Sequence, residues 1–581
     1  MRKISMLLLC AGLFCFLFYK FVFVPALPET PGYNVLYLSA DSFNKKHLAI
    51  YGYHRDTMPF LSSLAPKAAV FDQMINPSGW TNESLISIFS SLSSPVHKVE
   101  TRGHSIDPQW ITPIEILREY GYRVPRLGGW QGTENHSNLG FDSVTAMHPA
   151  QWLEEHGSEG RFFLFYQFLQ PHLPYNGDRR ESDVFLSYFR PEMFQNEASR
   201  QRVMSTVYQN IIVKKDGTVP FEPEDREPMN ALYDGELALL DREIERTVKA
   251  LEGLGLLENT VIIIGADHGE ELLEHGFVGH ASTSGEAHLY DEIVNIPFLI
   301  FFSKKIPSGG VIRTQVRGID VMPTVLDLLG IATPDYLEGR SLMPVINGQE
   351  SQHRVAFIQT SRAGYQEPDP ENITDRIRAV RTGTWKLIHY YYQDNPTRFE
   401  LYNLTEDPLE RENVVEEFPE KANELRKLLM DWILHQDKVK PPPPQRYTQK
   451  SWYQRTREYL QGRQIRTDYS GVPSPPEVIS PTDGAVLTYN TGSGAAIVRW
   501  SGEADVPYVI EYEVGEEDYH LTGSIRVQGN EKVFGPFPQE YWDTYLSRYS
   551  PGKIRISIDK DPREWSRWSH FEMQGLRTQI P

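Results

Sequence analysis

Cysteine is almost missing from this 581-residue chain: only Cys10 and Cys15 occur, both inside an N-terminal apolar run, and everything from Pro25 onward is cysteine-free. Disulfides, thiolate metal sites and cysteine nucleophiles are therefore excluded from the folded part. Basic charge is also in short supply. Acids outnumber bases 77 to 58, for a net charge of -19, and no nucleic-acid partner is expected, because neutralising phosphates needs a basic surface. There is no internal repeat. The chain is too long for one ordinary core, so at least two folded units are expected.

What is present begins with Met1-Arg2-Lys3 and an apolar stretch from Ile4 to Leu27, broken mainly by Lys20. Two cations ahead of a run of near-spanning length predict a signal-anchor over 1–27, with the rest of the chain exported and held at the cell membrane on its periplasmic or extracellular side. A cleaved signal is the alternative, although no clear small-x-small site follows. From Asn34 to about Gly330, β-branched runs alternate with helical stretches. Expected strands are Asn34 to Ala40, Phe162 to Phe168, Val261 to Ala266 and Pro297 to Phe302. Expected helices are Pro59 to Ala65, Ile114 to Tyr120 and Tyr233 to Leu254.

This alternation predicts an α/β fold, a doubly wound, mostly parallel sheet, over 32–336. A smaller C-terminal subdomain is expected over 337–437, with Ile377 to Leu387 as a strand and Glu420 to Leu434 as a helix. A Pro-rich and basic linker follows over 438–474, where Pro441-Pro442-Pro443-Pro444 fixes φ and removes donors. Within it, Ser451 to Arg466 reads as a helix or a solvated face. From 475 to 581, short runs such as Ala496 to Trp500, Tyr508 to Val514, Ser524 to Val527 and Lys553 to Ile558 predict an appended all-β sandwich of the immunoglobulin or fibronectin III kind. No ligand motif is found in it, so a spacer or contact module is expected.

The chemistry gathers at Ala266-Asp267-His268-Gly269-Glu270, directly after Val261-Ile262-Ile263-Ile264. A strand ending in Asp-His sets two metal ligands at the carboxyl edge of a sheet, where open α/β folds build their sites. Asp41 also follows a strand and precedes a polar turn, where it is either a carboxylate within reach of a cation or a helix N-cap. Thr81, in Gly79-Trp80-Thr81-Asn82 before the helical run Leu85 to Leu92, is either a nucleophile activated by a metal and free backbone N–H groups or an N-cap accepting from Glu83 or Ser84. His172 lies between Pro171 and Pro174 at a strand end and alone would read as a loop histidine. His275, His280 and His288 follow within about twenty residues of Asp267, close enough to ligate a metal, bind an oxyanion or protonate a leaving group.

Taken in order, these segments resemble the sulfatase family of the alkaline phosphatase superfamily. Further matching stretches are Glu119-Tyr120-Gly121-Tyr122, Tyr233-Asp234-Gly235-Glu236, Leu254 to Glu270, Asp320 to Asp327, Glu338 to Leu342 and Glu400 to Leu404. The resemblance implies an ester hydrolase or phosphotransferase acting on a sulfo or phospho ester, with glycan and lipid-linked esters among the candidates. It implies a divalent cation (Mn, Ca, Zn or Mg) held by Asp41, Asp267, His268 and Thr81, with His172, His280 and His288 as oxyanion or leaving-group residues.

The family pattern Cys-x-Pro-x-Arg, whose first residue becomes formylglycine, reads here Thr81-Asn82-Glu83-Ser84-Leu85, and the second aspartate of the usual pair is Ser42. Oxidising a threonine would give a ketone rather than an aldehyde, so no formylglycine is expected. The expected function is phosphodiester or phosphonate ester hydrolysis, or phosphotransfer, from Thr81. An arylsulfatase-like sulfate ester hydrolase and a non-catalytic envelope or glycan-binding protein are the alternatives.

Overall fold

The computed structural model describes residues 32–441, except 102–103, 130–138, 143, 146, 176–189, 209–212, 215–216, 282, 284–286, 308, 362–372, 374, 392–396 and 436–438, and beyond them only strands between 478 and 574. The expected N-terminal anchor and the stretch Ser451 to Arg466 lie outside the described residues. Among those described, no helix is long and apolar enough to cross a membrane. The chain divides into two units at Pro442/Pro443.

The first unit is built on β1 (Asn34–Ala40), β2 (Ala69–Ile75), β3 (Arg126–Gly128), β4 (Val144–Thr145) and β5 (Phe163–Phe168). A small hairpin of β6 (Val213–Lys214) and β7 (Gly217–Thr218) precedes β8 (Thr260–Ala266). The paired β9 (Glu271–Leu272) and β10 (Val278–Gly279), then β11 (Asn295–Phe301), β12 (Gly310–Ile312) and β13 (Val316–Arg317), complete it. Nine of these strands form one sheet in the order β12-β2-β11-β8-β1-β5-β3-β4, with β13 also on β2. β1 lies at its centre, parallel to both β5 and β8. The sheet is mixed, because β11 runs antiparallel to β8 and β2. Only a short helix, Asp291–Val294, stands between the turn after β10 and β11. The connection from β8 to β11, residues 267–294, carries the β9–β10 hairpin and this short helix.

Every residue of β1 and of β8 is buried, which is why both read as continuous apolar runs rather than alternating ones. Helices cover the two faces. Phe165 packs on Phe89 of the Thr81–Ser90 helix, with ring centroids 4.7 Å apart. Its neighbour Tyr166, which points to the other face because strand side chains alternate, packs on His148 at the start of the Pro149–His156 helix. That second layer also holds Pro59–Leu64 and the long Arg226–Gly253 helix. This helix starts seven residues before the expected Tyr233.

A separate four-stranded antiparallel sheet is made of β14 (Ala356–Ser361), β15 (Arg376–Arg381), β16 (Trp385–Tyr391) and β17 (Arg398–Asn403), and the Pro419–His435 helix packs on β15 and β16. The expected single strand Ile377 to Leu387 is thus a hairpin. Its turn is fixed by Thr382, whose backbone N–H donates to the Trp385 carbonyl at 2.8 Å and whose hydroxyl accepts the Trp385 N–H at 3.0 Å.

The second unit is all-β. β18 (Val478–Ser480), β20 (Ala496–Trp500) and β23 (Glu531–Phe534) form one sheet. β19 (Ala485–Thr488), β21 (Pro507–Val514), β22 (Leu521–Gln528), β24 (Gly552–Ile558) and β25 (Ser569–Gln574) form the other. All its pairs are antiparallel except β19 with β25.

Ile263, 1% exposed on β8 between Tyr37 and Ile300, tests how much the central sheet holds the first unit together. Ile263→Ala is expected to lower its stability by about 2–5 kcal/mol through lost burial and a residual cavity, read as a shifted midpoint in urea unfolding of the full chain.

Candidate metal centre and nucleophile

The parallel register sets β1 and β8 level, with Ala40 opposite Ala266, so the next residue of each strand is a carboxylate at the same sheet edge. Both Asp41 and Asp267 are fully buried there. His268 follows with its Nε2 3.4 Å from Asp41 Oδ1 and 3.7 Å from Asp267 Oδ2. Its Nδ1 is 2.9 Å from the Gly269 carbonyl, an anchor that leaves Nε2 facing the carboxylates. One ligand atom from each of Asp41, Asp267 and His268 lies within 4.8 Å of the others.

The hydroxyl of Thr81 completes the group. Thr81 is the first residue of its helix and Trp80 is the N-cap, so the alternative of a capping threonine is not what the structure holds. Its Oγ1 donates to Asp41 Oδ2 at 3.5 Å and lies 3.2 Å from His268 Nε2. Asp41 likewise caps no helix; in the turn that follows, Asn44 does so, accepting from the Lys46 N–H. That turn carries Ser42 at φ 62, and Tyr233 holds it by donating to the Ser42 carbonyl at 2.6 Å while accepting the Asn44 N–H at 2.8 Å.

Beside this group lies a line of imidazoles. The His280 ring is 4.2 Å from the His268 ring and 4.9 Å from the His172 ring, centroid to centroid. His280 Nδ1 is 2.7 Å from Glu270 Oε2 and 3.3 Å from Ser42 Oγ, and Tyr175 donates to the other Glu270 oxygen at 2.8 Å. The structure therefore brings Asp41, Thr81, Asp267, His268, His280 and His172 together.

His288 is placed elsewhere. Its ring packs 4.1 Å from Phe277 and 5.7 Å from Tyr290, and among the described residues no hydrogen bond or ring contact joins it to Asp41, Asp267 or His268. The stretch that leads from β10 toward the four-stranded sheet carries it into the aromatic cluster around Tyr290, Tyr390 and Tyr402.

Burial dominates the electrostatics. It pushes the Asp267 carboxyl up to about 7 and the His268 imidazole down to about 4. It also raises Glu270 well above the carboxylate range and holds His280 well below the ordinary imidazole value, with His268 and His172 adding to the latter shift. Burial, then the charge of Glu100, pushes Glu83 up to about 8.

Two buried carboxylates beside a neutral imidazole and a hydroxyl form a hard, anionic ligand set, the kind that suits a divalent cation. The donors present fit one. Missed in the sequence is Gln167, whose Nε2 donates to Asp267 Oδ2 at 2.8 Å and to Asp41 Oδ2 at 3.4 Å; its signal was a lone amide within the aromatic and apolar run of β5. Asn76, 0% exposed and bonded through Nδ2 to the Ala266 and Asp267 carbonyls, carried no such signal.

The model of the Sulfatase family matches residues 33–152 and 148–331, and that of "N-sulphoglucosamine sulphohydrolase, C-terminal" matches 282–438. An N-acetylglucosamine-6-O-sulfatase of Bacteroides thetaiotaomicron is 30% identical over 199 residues, which are 34% of each chain, so this chain spans about a third of that relative. Arylsulfatase K of Mus musculus is 23% identical over 438 residues, 67% of this chain and 77% of the relative. Among solved structures, the phosphonate monoester hydrolase of Agrobacterium radiobacter superposes with a TM-score of 0.55 at 19% identity, covering 70% of this chain and 96% of that one. A protein in complex with its substrate D-glucosamine-2-N,6-O-disulfate superposes with a TM-score of 0.54 at 19% identity, covering 71% and 99%.

With its folded-state pKa raised to about 7, Asp267 holds a proton that the unfolded chain releases near pH 4. At this one group the folded state binds more protons across that window, so the stability that Asp267 contributes to chelated protein is expected to be lost as pH rises from about 4 to 7, against the opposite slope from the depressed His268 imidazole. A divalent cation competes with the same proton, so added Mn is expected to restore stability most above pH 7 and to bind more weakly with each unit below it. Thermal unfolding across pH with and without chelator, repeated on Asp267→Asn, measures both slopes.

Proposed function

The chain belongs to the sulfatase family, a family of ester hydrolases, and we propose that this member is a metal-dependent hydrolase or phosphotransferase using Thr81 as its nucleophile on a phosphodiester or phosphonate ester. One observation carries the reading. The Thr81 hydroxyl, at a helix N-terminus, lies against both Asp41 Oδ2 and His268 Nε2, a placement that supports attack over capping.

A divalent cation held by Asp41, Asp267, His268 and Thr81 would supply Lewis acidity, lowering the hydroxyl pKa and offsetting charge on the transferred group. The residues divide the rest of the work. Thr81 Oγ1 attacks phosphorus and the bond to the leaving alkoxide breaks, forming a phosphothreonine ester. His280, set by Glu270, and His172 face the same space and supply hydrogen bonds to non-bridging oxygens or a proton to the departing oxygen. Water, or an acceptor hydroxyl, then attacks the phosphothreonine and regenerates Thr81. The free N–H groups at the start of the Thr81–Ser90 helix favour the negative charge that develops.

Sulfate ester hydrolysis is the second reading, favoured by the 30% identity to an N-acetylglucosamine-6-O-sulfatase. The proposal also includes export and tethering through the apolar run from Ile4 to Leu27, a catalytic domain over 32–336, a subdomain over 337–437, a linker over 438–474 and an immunoglobulin or fibronectin III-like module over 475–581. Support for the tether is the pair Arg2-Lys3 ahead of that run.

Nitrophenyl sulfate, phosphate monoester, phosphodiester and phosphonate ester are to be compared on chelated and metal-reloaded protein. Phosphodiester or phosphonate turnover is expected, lost by at least about a thousandfold in Thr81→Ala and largely kept in Thr81→Ser, with an acid-quenched phosphothreonine detectable by mass. Sulfate turnover alone would establish the second reading, and silence on all four would favour a non-catalytic envelope or glycan-binding protein.

A further inference from the structure

Gln167 is 1% exposed and stands on β5 beside the tip of β1, where Ser39 is its register partner. The end of its amide sits among the buried carboxylates, 2.8 Å from Asp267 Oδ2 and 3.4 Å from Asp41 Oδ2. The other end, Oε1, is buried with no hydrogen-bond partner among the described residues. Buried amide oxygens are almost always satisfied, and this one is left without a partner among the described residues, beside two buried carboxylates. A half-turn about the last torsion exchanges the two ends, turning a donor to two carboxylates into a carbonyl oxygen at the same place.

The spacing of the surrounding atoms is that of a single coordination shell. Adjacent ligands of one cation at about 2.1–2.5 Å lie about 3.0–3.5 Å apart. The separations here are 3.5 Å between Thr81 Oγ1 and Asp41 Oδ2, 3.2 Å between Thr81 Oγ1 and His268 Nε2, 3.4 Å and 3.7 Å from His268 Nε2 to the two carboxylates, and 2.8 Å and 3.4 Å from the Gln167 amide to the same pair. Asp41, Asp267, His268 and Thr81 supply four atoms, and hard divalent cations take more than four. The Gln167 amide stands within reach of both carboxylates, where it would supply a further ligand atom. Gly129, at φ 71, leaves room for the outer end of the amide: a Cβ there would come within 2.7 Å of Oε1.

We infer that Gln167 is a direct ligand of the divalent cation, through its side-chain carbonyl oxygen turned toward Asp41 and Asp267. This rests on the metal-dependent reading above. A residue that merely bridged two carboxylates as a donor would compete with the cation for them, so the two roles predict opposite signs on removal.

The test is Mn binding to the chelated full chain, followed by the loss of the free-ion spin-resonance signal, for the wild type and for Gln167→Met, which keeps the volume and removes both polar ends. The dissociation constant is expected to rise by at least about tenfold. Unchanged or tighter binding in folded Gln167→Met would overturn the ligand role while leaving the metal-dependent reading intact. Absence of binding in the wild type would overturn that reading and this inference with it. Should Gln167→Met fail to fold by circular dichroism, Gln167→Asn, which withdraws the carbonyl by one methylene, decides by the same criterion.

Discussion

The parallel pairing of β1 with β8 is the constraint on which the rest depends. It places two carboxylates side by side at a buried sheet edge, and like charges so placed cannot both ionise without a positive partner. The same register brings β5 alongside, so Gln167 arrives within reach of both. A one-residue slip in either pair would turn these side chains to the opposite face. The continuous apolar burial of both strands, which no slip could improve, therefore also fixes the site.

The departures from the usual nucleophile motif are built into this fold and are not gaps in it. Leu85, where an arginine is usual, is fully buried in the main core. Glu83, where a proline is usual, accepts from Ser78 at 2.8 Å and from the Trp80 indole at 3.0 Å, which ties the loop that presents Thr81 back onto its own helix. Ser42, in place of a second aspartate, bonds Asp41 Oδ1 at 3.3 Å. The result is a candidate ligand set with one carboxylate fewer than an Asp-Asp pair would give at 41 and 42.

How much of this could be read beforehand follows from whether the signal was local. β1, β8 and the strand-end pair Asp267-His268 were legible because a buried parallel strand is a continuous apolar run whose end is marked by a polar turn. The second unit was legible through turn spacing. β2 was not, because Asp72 and Gln73 interrupt its apolar run on a half-buried stretch. The hairpin within 376–391 was hidden because its turn, Thr382-Gly383-Thr384, is short and contains one glycine. The Arg226–Gly253 helix begins ahead of the expected Tyr233, with Pro228 tolerated in its first turn. His288 was assigned by its distance along the chain from Asp267, and sequence distance carries no direction in space. Gln167 could be seen only once β5 had been placed beside β1.

Tyr233 holds the turn after Asp41 from a helix nearly two hundred residues away, and Asp267 and His268 come later still. Asp41, Tyr233 and the Asp267-His268 pair do not meet until the sheet has closed. A topology so dominated by distant pairings folds slowly, and the unfolded chain presents no assembled cation site of this kind. A cation bound as proposed would favour only the finished state, so its ambient concentration would set how long each molecule survives against unfolding and proteolysis by mass action. On that reading, scarcity of the ion would shorten the protein's lifetime as well as slow its turnover.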